Sequence, residues 1–167
     1  ASVTGLKRND EESVIEYTIA REEGENVNTY AITVAGEEAQ GNYTVKYVAG
    51  EFTITPAEVT VTANAASKVY GDEDPELTAS VTGLKRNDEE SVIEYTVARE
   101  EGEDVNTYAI TVAGEEAQGN YTVKYVAGEF TITPAEVTIT ANEASKVYGE
   151  ADPSLTATVE GLKRGDE

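Results

Sequence analysis

Cysteine, histidine, methionine and tryptophan are absent from this 167-residue chain. Without cysteine there is no disulfide framework, no thiolate zinc site and no thiol nucleophile. Without histidine the usual general base and the commonest metal ligand are missing, and hydrolytic triads built on imidazole are excluded. Positive charge is scarce as well: 12 Lys and Arg stand against 33 Asp and Glu, a formal net charge of -21. Such a polyanion is a poor partner for nucleic acid and for anionic membrane surfaces. No run approaches the roughly 18 consecutive apolar residues that span a bilayer, so no membrane insertion is expected in this segment. Neither an export signal nor an anchoring tail is visible, and both are expected to lie outside this window. The acid excess reads first as a solvated, self-repelling surface, and second as cation binding or attraction for a basic partner.

What is present is repetition. Residues 1–78 realign on 79–156 without a gap, and only seven positions differ: Ile19/Val97, Asn26/Asp104, Val61/Ile139, Ala65/Glu143, Asp72/Glu150, Glu73/Ala151 and Glu76/Ser154. Residues 157–167 open a third copy, with Gly165 where the second has Asn87. Near-identity of this kind suits a long array whose unit count matters more than any unique site. The window reads as a piece of such an array, with neighbouring identical repeats as its partners. Those neighbours could be a covalent continuation or separate, strand-complementing copies.

Turn chemistry sets the boundaries. Pro56 and Pro134 each close a Glu-Phe-Thr-Ile-Thr segment, and proline, lacking an amide hydrogen, sits at strand ends and edges. Residues 57–134 therefore read as a complete module, 1–56 as the C-terminal part of one repeat, and 135–167 as the N-terminal part of the next. Apolar and polar residues alternate through Val59–Thr62, Leu77–Thr82, Ile93–Val97, Thr107–Val112, Tyr121–Tyr125 and Phe130–Thr133. Six or seven short strands, each with one apolar and one Thr-rich face, predict an all-β, antiparallel Ig-like or Greek-key sandwich. One short helical turn is expected at Asn87–Val92, capped by Asn or Asp. A 78-residue unit buries only about 60% of its unfolded surface, so neighbours are expected to brace one another across short junctions, giving a semi-rigid rod.

The stretch Val59-Thr-Val-Thr-Ala-Asn, then Lys68-Val-Tyr-Gly-Asp-Glu-Asp-Pro, then Leu77 with Val81-Thr-Gly-Leu, resembles the YGX-type MBG repeats of long bacterial surface and adhesin-like proteins. Gly102–Val112 and Gly119-Asn-Tyr-Thr-Val through Gly128-Glu-Phe-Thr-Ile-Thr-Pro fit the same pattern. The resemblance implies a stalk-forming extracellular module at the cell surface, and supplies no active site to carry over. A local likeness joins it. Asp104-x-x-x-Tyr108-x-Ile110 is similar to the tyrosine corner of immunoglobulin-type sandwiches, whose phenol bonds back to upstream backbone. The first copy has Asn26, Tyr30 and Ile32 there.

Several features invite chemistry. The acidic turns Gly71–Glu76 and Glu100–Asp104 concentrate carboxylates as a calcium site does, but lack EF-hand spacing. The first loses two acids in the next copy, so a solvated turn is the preferred reading. Glu89/Glu90 and Glu115/Glu116 are carboxylate pairs beside no pocket pattern. Asn42-Tyr-Thr and Asn120-Tyr-Thr match a glycosylation sequon by coincidence. Lys46 and Lys124 invite comparison with sandwich domains that cross-link Lys to Asn, yet Lys124 shares the polar face of Thr122. Tyr95, Tyr108, Tyr121 and Tyr125 fall on apolar faces and read as core, not sugar platforms. No residue is put forward as catalytic, cofactor-binding or metal-ligating, and no enzyme activity or cofactor is expected. The first functional reading is a structural stalk or fibre segment. The alternative is a repeated low-affinity adhesive module, glycan- or protein-binding and acting through avidity, whose host or matrix ligand the sequence does not identify.

Overall fold

The computed structural model describes residues 2–166; Ala1 and Glu167, the outer ends of the expected first and third segments, lie outside the described residues. The described chain is strand and turn with two short 3-10 turns, Glu12–Val14 and Glu90–Val92. It divides into two compact units: Ala1–Ala57 with Gly119–Thr122, and Glu58–Gln118 with Val123–Glu167.

In the first unit, β1 (Thr18–Arg21), β2 (Asn28–Ala35) and β5 (Gly50–Ile54) form a sheet in the order β1-β2-β5, and β3 (Ala39–Gln40) pairs with β4 (Tyr43–Thr44). Tyr30 stands directly opposite Phe52 in the β2–β5 register, an aromatic cross-strand pair of the kind that holds sheets together.

Residues 57–134 carry β6 (Ala57–Ala63), β7 (Ala66–Val69), β8 (Ala79–Thr82), β9 (Thr96–Arg99), β10 (Thr107–Ala113), β11 (Ala117–Gln118), β12 (Tyr121–Val126) and β13 (Gly128–Thr133). They make two four-stranded sheets, β7-β13-β10-β9 and β11-β12-β6-β8. Pairing is antiparallel for β10 with β13 and β9, and for β6 with β8, whereas β7 runs parallel to β13. Alternation along each strand puts Val59, Val61, Val81 and Val123 into the core from one sheet, and Ile110, Val112, Phe130 and Ile132 from the other. Thr and Glu alternate outward. Beyond this, β14 (Thr138–Ala141) pairs antiparallel with β15 (Ala157–Glu160).

The helical turn falls later than the sequence pattern predicts. Arg86 and Asn87 have φ of 58° and 63°, and the Asp88 amide donates to the Lys85 carbonyl at 3.0 Å. Two successive left-handed residues make a type I′ turn, so Asn87 is a turn residue and not a cap. The helix cap is Glu89, which makes no side-chain capping bond. Gly165 takes the Asn87 place in the third copy with φ 79°, the other residue suited to that conformation.

Identical sequence adopts different structure in the two copies. Tyr121–Val126 is one continuous strand, whereas in the same sequence at 43–48 only Tyr43–Thr44 is strand. The difference is the neighbour. β12 lies between β11 and β6, while β4 has β3 alone. Burial follows: Phe130 is 0% exposed and Phe52 41%. A Phe→Ala change in a closed core costs about 3–5 kcal/mol. Phe130→Ala is therefore expected to cost that much in denaturant unfolding of its unit, and Phe52→Ala less than half as much. Equal costs would show that the two cores are equally closed.

Candidate repeat junction

The sheet β7-β13-β10-β9 brings the two acidic turns to one place. Lys68 on β7 reaches Asp74 at 2.7 Å and Glu103 at 2.6 Å. Arg99, on the opposite edge strand, lies across the sheet with its guanidinium 4.7 Å from the Phe130 ring centre and 5.7 Å from that of Tyr108. There it meets the same acids, Nε to Asp74 at 2.6 Å and a terminal nitrogen to Glu103 at 2.6 Å. Its other terminal nitrogen donates to the carbonyls of Glu100 and Gly102 at 2.9 and 2.8 Å. The fork is thus occupied on all sides, which is what a desolvated guanidinium needs. The cations are nearly buried, at 4% and 10% exposed, while the acids lie at the rim at 37% and 39%.

Electrostatics follow the geometry. Hydrogen bonds from Arg99 and then Lys68 hold the Asp74 carboxyl down at about 2. Glu103 is lowered, chiefly by Lys68, and Lys68 is raised, by Asp74 first and Glu103 second. An isopeptide bond needs a neutral amine and a protonated acid. Lys68, the buried lysine of the described residues, is therefore fixed in the unreactive charge state, and Lys46 and Lys124 are exposed.

The third copy docks on this cluster. Lys163 and Arg164 project from a turn closed by the Asp166 amide on the Lys163 carbonyl at 3.0 Å. Lys163 reaches Asp72 at 3.0 Å and Arg164 reaches Glu103 at 2.9 Å. Burial and the neighbouring Asp166 carboxylate push the Tyr70 phenol up. In the first unit Asn120 makes a junction of another kind: its side-chain oxygen accepts from the Val27 amide at 2.8 Å and its nitrogen donates to Asn26 at 3.1 Å. That engages the sequon asparagine in protein contacts.

The remaining candidates fall in place around these contacts. Of the two acidic turns, Asp74 and Glu103 converge, but on basic side chains; among the described residues no group of three or more acids is placed to hold a metal ion. Glu89, Glu90, Glu115 and Glu116 are all exposed. Tyr108 and Tyr121 are buried, Tyr95 and Tyr125 half-buried. Tyr108 closes the corner, its hydroxyl donating to the Asp104 carbonyl at 2.9 Å, as Tyr30 does to Asn26 at 2.8 Å. Because the acceptor is backbone, Asp and Asn serve equally. Gly102, φ 152°, is needed beneath this ring, since a Cβ there would collide with Tyr108.

Sequence reading missed Lys68, Arg99 and Gln118. The Gln118 side chain takes the Glu94 amide at 2.7 Å and donates to the Glu94 and Glu115 carbonyls at 2.9 and 3.0 Å. Gln40 does the same around Glu16 and Glu37 in the first copy. The available signal was a cation on an otherwise apolar strand face, at Lys68 between Ala66 and Tyr70 and at Arg99 after Val97.

The model of one protein family, described as the MBG domain (YGX type), matches residues 1–53, 59–131 and 137–167. No curated protein and no solved structure matches the chain.

Asp74 has an ordinary value of 3.8 and a folded value of about 2. A depressed carboxylate contributes stability that is complete above its unfolded value and is lost as pH falls through its folded one. Melting temperature is expected to fall between about pH 4 and pH 2, and Asp74→Asn to flatten that fall by a few degrees, since a rim-exposed acid is partly screened. An unchanged pH profile in the variant would remove Asp74 from the network. Chelation is expected to change the melting temperature little; a drop beyond about 10 °C would restore the calcium reading.

Proposed function

Because the chain belongs to the YGX-type MBG domain family, we propose that it is a structural stalk or fibre segment of an extracellular bacterial surface protein, with no catalytic step of its own. The observation that carries this reading is the Lys163–Asp72 and Arg164–Glu103 contact. It joins one repeat to the next through side chains whose equivalents recur in the array: Lys85 and Arg86 hold the cationic places one copy earlier, and Glu25 the place of Glu103. A junction written into every unit can propagate without limit, which is what a stalk requires and a single active site does not.

The surface of residues 57–134 supports the same reading. None of their Tyr or Phe side chains is exposed, so the aromatic platform that a sugar-binding module presents has no counterpart there. Their large exposed hydrophobics are Val69, Val92 and Val105, single side chains of the sort any surface carries. The cell-surface placement is part of this proposal, and the family resemblance of the motifs is what supports it.

The test is length. Arrays of two, four and eight repeats, imaged singly or measured by small-angle scattering, are expected to lengthen by a constant step per repeat. Arg164→Glu with Lys163→Glu at the central junction is expected to loosen the array there, seen as a wider distribution of bend angles. Compact particles whose largest dimension does not grow with repeat number would overturn the stalk.

A further inference from the structure

Every copy of the repeat carries one tight basic turn. Lys7-Arg8-Asn9-Asp10, Lys85-Arg86-Asn87-Asp88 and Lys163-Arg164-Gly165-Asp166 occupy the same position of the repeat. In each, the Asp amide donates to the Lys carbonyl at 3.0 Å. The two central residues are left-handed in all three, with φ of 59° and 66°, 58° and 63°, and 54° and 79°. Lys85 and Arg86 are exposed. The other basic residues of 57–134 lie on strands: Lys68 on β7, Arg99 on β9 and Lys124 on β12. Their backbone is held between or beside neighbouring strands. Within the complete module the turn is where basic side chains lie outside the sheets, and exposed turn tips are where folded chains are nicked.

A second, independent observation is that the turn is clamped to the repeat before it. Lys163 reaches Asp72 at 3.0 Å and Arg164 reaches Glu103 at 2.9 Å. The Lys163 stem lies over Gly71, where a Cβ would stand 2.5 Å from that of Lys163. A protease that selects Lys or Arg draws that side chain into an acidic pocket of its own. It also takes the chain on either side as an extended strand. Neither condition is met in the closed turn. Both basic side chains already face carboxylates, and left-handed residues are far from extended. The clamp must open before the bond can be cut.

We propose that the Lys-Arg turn of each repeat is a processing site for a trypsin-type serine protease, gated by the ionic clamp on the preceding repeat. Hydrolysis falls after the arginine. At Arg86 the C–N bond to Asn87 breaks, water giving its hydroxyl to the Arg86 carbonyl carbon and its proton to the Asn87 amine. Cutting follows the population of the opened turn, so closed junctions are spared and loosened ones are cut. The nick does not part the module. Residues 57–86 keep β6 beside β12 and β7 beside β13, with the cut bond outside both sheets. The stalk reading does not depend on this site: turns that resist the protease would refute the gate and leave the growth of array length with repeat number untouched.

Limited digestion of the folded 167-residue chain with trypsin, read by mass spectrometry, tests the site and the gate together. Within residues 57–134 the first cut is expected after Arg86, giving fragments 1–86 and 87–167, before any at Lys68, Arg99 or Lys124. The fragments are expected to separate on a denaturing gel and to elute together, at the size of the uncut chain, on a native sizing column. Asp72→Asn, at an exposed position that faces Lys163 and no buried cation, removes one arm of the clamp. It is expected to raise the cutting rate at Arg164 about two- to fivefold, as loss of one exposed ion pair allows. The rate at Arg86, one repeat away from that clamp, is the internal reference and is expected to stay unchanged. First cuts on β7, β9 or β12 would overturn the proposal, as would a folded chain left uncut at both turns. So would an Asp72→Asn variant whose Arg164 rate does not rise relative to Arg86, or fragments that part under native conditions.

Discussion

The sandwich of residues 57–134 is closed by strands from its own beginning. β6 and β7 are the first strands of residues 57–134, and they lie against β12 and β13, the last. Short β-modules have little apolar surface to spare, and this long-range closure decides whether what they have is buried. The comparison is internal to the molecule: residues 43–56 and 121–134 have one sequence. Beside β6 and β7 they give two strands with Phe130 and Ile132 sealed in; in the first unit Phe52 is partly exposed and 45–48 is not strand. Propensity is the same in both places. Tertiary context makes the difference.

The ionic cluster depends on the same closure, because Lys68 is carried on β7. Two cations are desolvated there, a cost that only close pairing offsets, and Arg99 adds the aromatic faces of Phe130 and Tyr108 to its carboxylates. Sequence variation between the copies respects this arrangement. Asp72 becomes Glu150 and Asp74 remains as Asp152, so both places that face a cation keep an acid. The acids that are lost, Glu73 and Glu76, are exposed. What looks in the sequence like decay of an acidic turn spares the two acids that meet Lys163, Lys68 and Arg99.

Much of the fold was legible because the signals were local. Alternation located the strands, prolines marked their ends, and the spacing of Tyr108 from Asp104 announced a corner that forms in both copies. The parallel run of β7 beside β13 was not legible, since nothing in Ala66–Val69 specifies which distant strand it joins. Asn87 misled for a different reason. Asparagine suits a helix cap and a left-handed turn equally well, and the preceding Arg86, also at positive φ, settles the choice in a way no propensity reports. At the junction, the acids were visible as a group, but each also meets a cation distant in the chain: Arg99 lies 25 residues from Asp74, Arg164 lies 61 from Glu103 and Lys163 lies 91 from Asp72. Charge composition alone therefore suggested a metal where the molecule supplies lysine and arginine.

The parallel pairing of β7 with β13 also bears on how the chain reaches this structure. It joins Ala66 to Phe130, nearly the full span of a repeat, so the contact that seals the core has one of the highest entropic costs of loop closure and comes late. During synthesis β6 and β7 emerge first and must wait, apolar faces uncovered, until β12 and β13 leave the ribosome. In an array of near-identical units the waiting strands meet more than one acceptable partner, since the previous repeat offers the same sequence. Fidelity then depends on kinetics: the tethered partner must arrive before a neighbour's does, and the rate of chain elongation sets the clock.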